Sequence, residues 1–294
     1  MCTREITAFV NPDGGRPIFG WQGVKLGLPE IKLPCGSCPE CCKDYYTSWA
    51  TRGSRELTCW DSSIFITLTY DDEHLPKNKS LNKKHVQDFI KRVKKRFNST
   101  EENPIRQIYC GEYGEQTLRP HYHVILFNMD FVDKRAHYKT DQGHQVFTSK
   151  TLSDLWKNGH AEFGFATPGS IAYLFKYILK KKTRKEKRKP LTLEHSEGIY
   201  DVEHEFIEAS RNPGIGAYLR NSQSLKKGFL TINGVKKKIP KYYMEWLKKY
   251  DLTTYEKLKD QKFDFMQSLP SESPERKRQK EEAQKKLTDT KKKL

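Results

Sequence analysis

Pro120-His-Tyr-His-Val-Ile-Leu-Phe127 is the stretch from which the fold is read. Its bulky β-branched and aromatic content marks a strand, and alternation along a strand puts His121 and His123 on one face with Ile125 and Phe127. Just upstream, Ile105-Arg-Gln-Ile-Tyr-Cys-Gly-Glu112 reads as a second strand, close enough to form an antiparallel hairpin with the first. Ile64-Phe-Ile-Thr-Leu-Thr-Tyr70 is apolar on both faces and reads as a buried strand, and Gly159–Thr167 as another. Between these lie helical patterns. Residues 83–97 carry Val86, Phe89, Ile90, Val93 and Phe97 at three- and four-residue spacing with Lys and Arg between them. Gly169-Ser-Ile-Ala-Tyr-Leu-Phe-Lys-Tyr-Ile-Leu179 reads as a helix started by Pro168, with shorter helices at Leu152–Lys157 and from Lys43 to Leu57. Residues 128–150 are polar and read as a loop or lid. The order across 63–182 predicts an α+β fold, with helices covering a central antiparallel sheet of about four or five strands.

Working outward, the expected organisation is an N-terminal Cys-rich segment over 1–60, the central domain over 61–185, and a C-terminal extension over 186–269. A charged, disordered tail follows over 270–294. The extension carries an Asn-Gly hairpin signal in Phe229–Val235 and helical patterns at Lys241–Tyr250 and Tyr255–Met266; no internal repeat occurs. Lys and Arg number 54 against 37 Asp and Glu in the 294 residues, a formal charge of +17. That balance points to a polyanion, nucleic acid being the usual one. No run approaches the ~18 apolar residues of a membrane span, and the first thirty residues lack the apolar core of a secretory signal. Seven cysteines, four of them between 35 and 42, do not form a secreted disulfide framework, so a reducing cytoplasm is the expected address.

Two imidazoles on one apolar strand face are costly unless something binds their nitrogens, and a divalent metal does so. Glu112 and Glu115 lie nine and six residues before His121, and spacing permits either to complete a His-His-Glu set. Three protein ligands leave positions open for substrate, which suits a catalytic site. Mixed nitrogen and carboxylate donors fit Mg²⁺ or Mn²⁺ acting on phosphates, with Zn²⁺ also compatible. The competing reading is a pair of structural histidines. A histidine-triad nucleotide hydrolase wants a third alternating His where Ile125 stands. Phosphoesterases with two His-x-Thr/Ser motifs need a second copy, which is absent.

Tyr173 and Tyr177 are four apart on the last helix of this region, hence on one face, and each is followed three residues on by lysine, Lys176 and Lys180. A tyrosine hydroxyl can attack a phosphodiester and remain as a phosphotyrosine, and neighbouring cations favour that attack. Taken alone, such a pair among Ile, Leu and Phe reads as packing; the His-x-His strand upstream is what gives it chemistry.

In order, residues 63–182 carry Phe65-Ile-Thr-Leu-Thr69, Pro120-His-Tyr-His-Val-Ile-Leu-Phe127 and Tyr173-x-x-x-Tyr177-x-x-Lys180. This set resembles the HUH endonuclease superfamily of rolling-circle replication initiators in its two-tyrosine form. Pro34-Cys-Gly-Ser-Cys-Pro-Glu-Cys41, Trp49-Ala-Thr-Arg52, Arg119-Pro-His-Tyr-His123 and Ser210-Arg-Asn-Pro-Gly-Ile-Gly216 extend the resemblance to gokushovirus-type initiators over about residues 2–220. It implies that His121, His123 and Glu112 are metal ligands and that Tyr173 and Tyr177 are alternating nucleophiles. It further implies nicking of supercoiled circular viral DNA, a covalent 5′ phosphate, a 3′-hydroxyl for the host polymerase, and religation of the single-stranded circle. The address becomes the cytoplasm of the bacterial host. No helicase phosphate-binding loop is present, so unwinding would fall to a host helicase.

Two further features stay open on sequence alone. Cys35, Cys38 and Cys41, with Cys2 or Cys42 as a fourth thiolate, form either a structural zinc site or free reduced thiols. The run 180–189 has eight basic residues and one acid; with Lys181, Lys182, Arg184 and Lys185 it reads as DNA-backbone contact or as a solvated linker. The alternative to the nickase as a whole is a non-catalytic basic nucleic-acid-binding protein with a zinc module.

Overall fold

The computed structural model describes residues 2–179, 190–220, 223–232 and 234–268 with scattered positions beyond, and the backbone alone for 176–179 and 266–267. The chain forms two compact units, Met1–Thr47 with Asp251–Leu294, and Ser48–Tyr250. In the first, β1 (Ile6–Phe9), α1 (Trp21–Lys25) and β2 (Glu30–Leu33) precede α2 (Pro39–Leu57), whose later turns belong to the second unit.

The second unit continues with β3 (Ser63–Tyr70), α3 (Lys83–Arg96), β4 (Arg106–Tyr113), β5 (Pro120–Phe127), β6 (Arg135–Lys139), β7 (Gln145–Thr148), α4 (Lys150–Trp156), β8 (Gly159–Phe165) and α5 (Pro168–Leu179). After residue 190 come β9 (Leu191–His195), β10 (Gly198–Val202), β11 (Phe206–Ala209), α6 (Gln223–Lys226), β12 (Phe229–Ile232), β13 (Val235–Lys238) and α7 (Lys241–Tyr250). A last helix, α8 (Leu252–Ser268), lies in the first unit.

The α+β reading holds, with a sheet of seven strands in the order β11-β4-β5-β3-β8-β7-β6, antiparallel throughout. The extra strands have physical reasons for escaping a sequence reading. Residues 128–150 are not simply a loop: β6 and β7 extend the sheet, but β6 is exposed at every position and has no buried face to write a period into the sequence. At the other edge β11 pairs Phe206–Ala209 with Ile108–Gly111, carrying the sheet past residue 185.

Strand alternation divides the buried residues between two faces. On one, Ile64, Ile66 and Leu68 join Tyr122, Val124 and Leu126 under α3 and α4, with Phe89 and Trp156 in edge contact. Asn82 caps α3 by accepting from the Lys84 N–H. Tyr122, between the two histidines, points here: its hydroxyl donates to the Asn82 carbonyl at 3.0 Å and accepts from the Asn82 N–H at 2.8 Å. On the opposite face, Gly53 of α2 lets that helix meet α5 and β4 closely. A Cβ there would lie 2.7 Å from Ile171 Cγ2 and 3.6 Å from Ile108 Cδ1. The start of α5 is fixed by Thr167-Pro-Gly-Ser170. The Ser170 N–H donates to Thr167 Oγ1 at 3.1 Å and the Thr167 N–H to Ser170 Oγ at 2.7 Å, while Pro168 occupies the first helical position.

Candidate active site

The β4–β5 register sets Glu112 opposite His121 and Cys110 opposite His123, while β3 sets Thr67 opposite His123 and Thr69 opposite His121. All these side chains leave the sheet on the face away from α3. Their ligand atoms converge: one carboxylate oxygen of Glu112 and one ring nitrogen each of His121 and His123 lie within 4.8 Å of one another. Glu112 Oε2 is 3.9 Å from His121 Nε2, and the imidazole rings meet edge to face with centroids 5.0 Å apart. Of the two carboxylates open to the sequence reading, Glu112 is buried in this cluster, whereas Glu115 is exposed in the turn after β4.

Neighbouring groups orient the cluster. The Arg119 carbonyl can only accept, so His121 Nδ1–H donates to it at 3.3 Å, leaving Nε2 with a lone pair toward Glu112. His123 Nδ1 shares a hydrogen bond of 3.3 Å with Thr67 Oγ1. Cys110 Sγ donates to Glu112 Oε1 at 2.9 Å, and burial, then the carboxylate charge, holds that thiol well above its ordinary range, so it stays a donor. Desolvation lowers the pKa of His121, and desolvation with the nearby His121 brings His123 to about 3. Both rings are therefore neutral near pH 7, the form in which imidazole ligates metal. One buried carboxylate and two neutral imidazoles on converging atoms fit a divalent cation.

Tyr173 stands beside this cluster. Its ring meets that of His123 edge-on at 5.6 Å and that of Phe65 at 6.2 Å, and the residue is 43% exposed. It is thus both adjacent to the cluster and reachable from solvent. The backbone of Tyr177 and Lys176 continues α5, their side chains being outside the described residues. Lys180, Lys181, Lys182, Arg184 and Lys185 also lie outside the described residues.

Behind α5, Phe175 stacks on Trp49 at 5.5 Å, and the Arg52 guanidinium is sandwiched between Trp49 at 4.1 Å and Tyr242 at 3.9 Å. One turn on, buried Glu56 accepts from Arg106 Nε at 2.5 Å, Trp60 Nε1 at 3.2 Å and the Gly216 N–H at 2.5 Å. Arg106 opens β4, the strand that ends with Glu112, so this polar knot joins α2, the 213–219 turn and the metal-facing strand. Thr67, Cys110, Glu56 and Arg106 were not singled out from sequence. Their alternation was visible, but their partners depend on register and on contacts more than fifty residues apart.

Residues 63–182 match the family model of the replication-associated protein ORF2 group. The replication-associated protein VP4 of Bdellovibrio phage phiMH2K is 34% identical over 256 residues, covering 84% of this chain and 77% of the relative. The replication-associated protein ORF2 of Spiroplasma virus 4 is 30% identical, covering 72% and 66%, and ORF4 of Chlamydia phage 1 is 28% identical, covering 74% and 54%. No solved structure matches the chain.

Proposed function

Because this chain belongs to the family of phage replication-associated proteins, we propose that it initiates rolling-circle replication as a metal-dependent DNA nickase and strand transferase. The observation that carries this reading is the juxtaposition of Tyr173 with the Glu112–His121–His123 cluster on one partly open face of the sheet. When bound by those three residues, a divalent ion, Mg²⁺ or Mn²⁺ by donor type, supplies the charge that polarises a scissile phosphate. The Tyr173 hydroxyl attacks phosphorus. A phenolic O–P bond forms as the P–O3′ bond breaks, the phenol proton passes to solvent, and the departing 3′-oxygen takes up a proton as a primer hydroxyl. Thr67, Cys110 and the Arg119 carbonyl hold the ligating groups in orientation, so little reorganisation is needed when substrate arrives.

Tyr177, one helical turn on, is the second nucleophile, cutting the regenerated origin so that the first junction reseals as a circle. Lys176 and Lys180 supply positive charge beside the two phenols, and Lys181, Lys182, Arg184 and Lys185 contact the DNA backbone. Supercoiled and single-stranded circular viral DNA are the substrates. A host helicase and polymerase complete the reaction in the host cytoplasm.

The test mixes the protein with end-labelled single-stranded oligonucleotides tiled across its own genome, with Mn²⁺ or with EDTA, and resolves the products on a denaturing gel. A metal-dependent protein–DNA adduct, lost in the Tyr173→Phe/Tyr177→Phe double variant, is expected. Binding without adduct across all tiles and divalent metals would overturn the nickase in favour of a non-catalytic DNA-binding protein.

A further inference from the structure

The thiols of this chain divide by what they face. All seven cysteines are free. Three give their S–H to oxygen: Cys42 to the Ser37 carbonyl, Cys59 to the Arg55 carbonyl and Cys110 to Glu112. The other four, Cys2, Cys35, Cys38 and Cys41, lie in the first unit and turn their sulfurs on one another, all within 4.8 Å. Strand pairing assembles them. Antiparallel β1 and β2 set Ile6 opposite Leu33, so the chain before β1 runs alongside the chain after β2 and carries Cys2 to Cys35. Cys35-Gly-Ser-Cys38 then turns into α2, whose first turn holds Cys41.

We propose that these four cysteines form a structural zinc site, separate from the Glu112–His121–His123 cluster. The dimensions fit. Zn–S bonds of about 2.3 Å in a tetrahedron place sulfurs about 3.8 Å apart. Cys2 Sγ and Cys38 Sγ are 3.8 Å apart, nearly twice a disulfide bond. The backbone is arranged for thiolates as well: the Cys38 N–H donates to Cys35 Sγ at 3.2 Å, the Ser37 N–H to the same sulfur at 3.4 Å, and the Cys35 N–H to Cys2 Sγ at 3.3 Å. Three backbone donors aimed at two sulfurs stabilise negative charge that neutral thiols would not carry.

A structural need coincides with the geometry. Among the described residues of 2–47, the buried apolar side chains are Ala8, Phe9, Cys38 and Cys41, while Phe19, Trp21 and Val24 are exposed. A segment burying so little apolar surface is of the kind that metal ligation holds together. On binding, each thiol releases its proton to solvent as its S–Zn bond forms, and no oxidant or reductant is required.

The test measures metal content and ligand type on the full chain, purified under reducing conditions without chelator from zinc-replete cells. One zinc per chain is expected by elemental analysis and native mass spectrometry. Zinc should fall at least five-fold in Cys38→Ser and Cys41→Ser but persist in Cys42→Ser and in His121→Ala/His123→Ala. Cobalt(II) substitution should produce the thiolate charge-transfer and visible bands of a tetrahedral sulfur site. If the serine variants fail to fold, chelation of the wild-type protein replaces them: Tm should fall on zinc removal and recover on readdition. Zinc-free protein that gives no cobalt–thiolate band, iron with acid-labile sulfide, or zinc that leaves with the two histidines would each overturn the site. Because the readout is metal and not cleavage, loss of the nickase reading would leave this result standing.

Discussion

Replacing Glu56 by glutamine should be the most damaging single isosteric change in the second unit. Both carboxylate oxygens are spoken for, Oε1 by Arg106 and Trp60 and Oε2 by the Gly216 N–H. An amide offers one acceptor and one donor, so either Arg106 or Gly216 would face an N–H group. The guanidinium would also keep its charge in a site where Glu56 is fully buried and Arg106 nearly so, with Nη2 already lacking a hydrogen-bond partner among the described residues. Removing one member of a buried pair costs about 3–5 kcal/mol. For a unit spanning residues 48–250 that lowers Tm by about 6–20 °C, at roughly 2–4 °C per kcal/mol. Thermal and urea unfolding read the loss. The Glu56→Leu/Arg106→Met double variant removes both charges and should be more stable than Glu56→Gln. Because α2 also carries Trp49 against Phe175 of α5, adduct formation by Glu56→Gln should fall even at temperatures where it is folded. A Glu56→Gln protein within about 1 kcal/mol of wild type, or a double variant no better than the single, would refute this account.

The other predictions concern the site. Glu112→Gln keeps the shape but removes the anionic ligand, so the Mn²⁺-induced rise in Tm should vanish and adduct yield should drop by about 10²-fold or more while the chain stays folded; an undiminished Mn²⁺ shift would show that the ion sits elsewhere. In EDTA, stability should fall with acid. His123 ionises near 3 folded against 6.5 unfolded, so the unfolded state binds the extra proton and the contribution, present above 6.5, is lost as pH falls toward 3. That shift corresponds to about 5 kcal/mol at most; a His123→Gln protein with the same pH slope as wild type would exclude it. Neutralising Lys181, Lys182, Arg184 and Lys185 together should flatten the log–log salt dependence of single-stranded DNA binding by about 2–3, at roughly 0.7 per phosphate contact. An unchanged slope in filter binding or fluorescence anisotropy would make the run a linker.

Local chemistry carried much of this protein in its sequence. The bulky alternation of Pro120–Phe127, the two-sided apolar run of Ile64–Tyr70 and the spacing of Val86, Phe89, Ile90 and Val93 report burial that each element experiences by itself, so β5, β3 and α3 were legible with nearly their observed bounds. So were His121 and His123 as one-face neighbours, because a period of two needs no partner strand. What the tertiary structure alone decided is everything that depends on pairing. The β4–β5 register selects Glu112 over Glu115, since a shift of one residue would turn the carboxylate to the other face. The β1–β2 pairing chooses Cys2 over Cys42 as the fourth sulfur across thirty residues of chain. The fully exposed β6 is held at the sheet edge by backbone hydrogen bonds, which any sequence can make and which therefore leave no pattern to read.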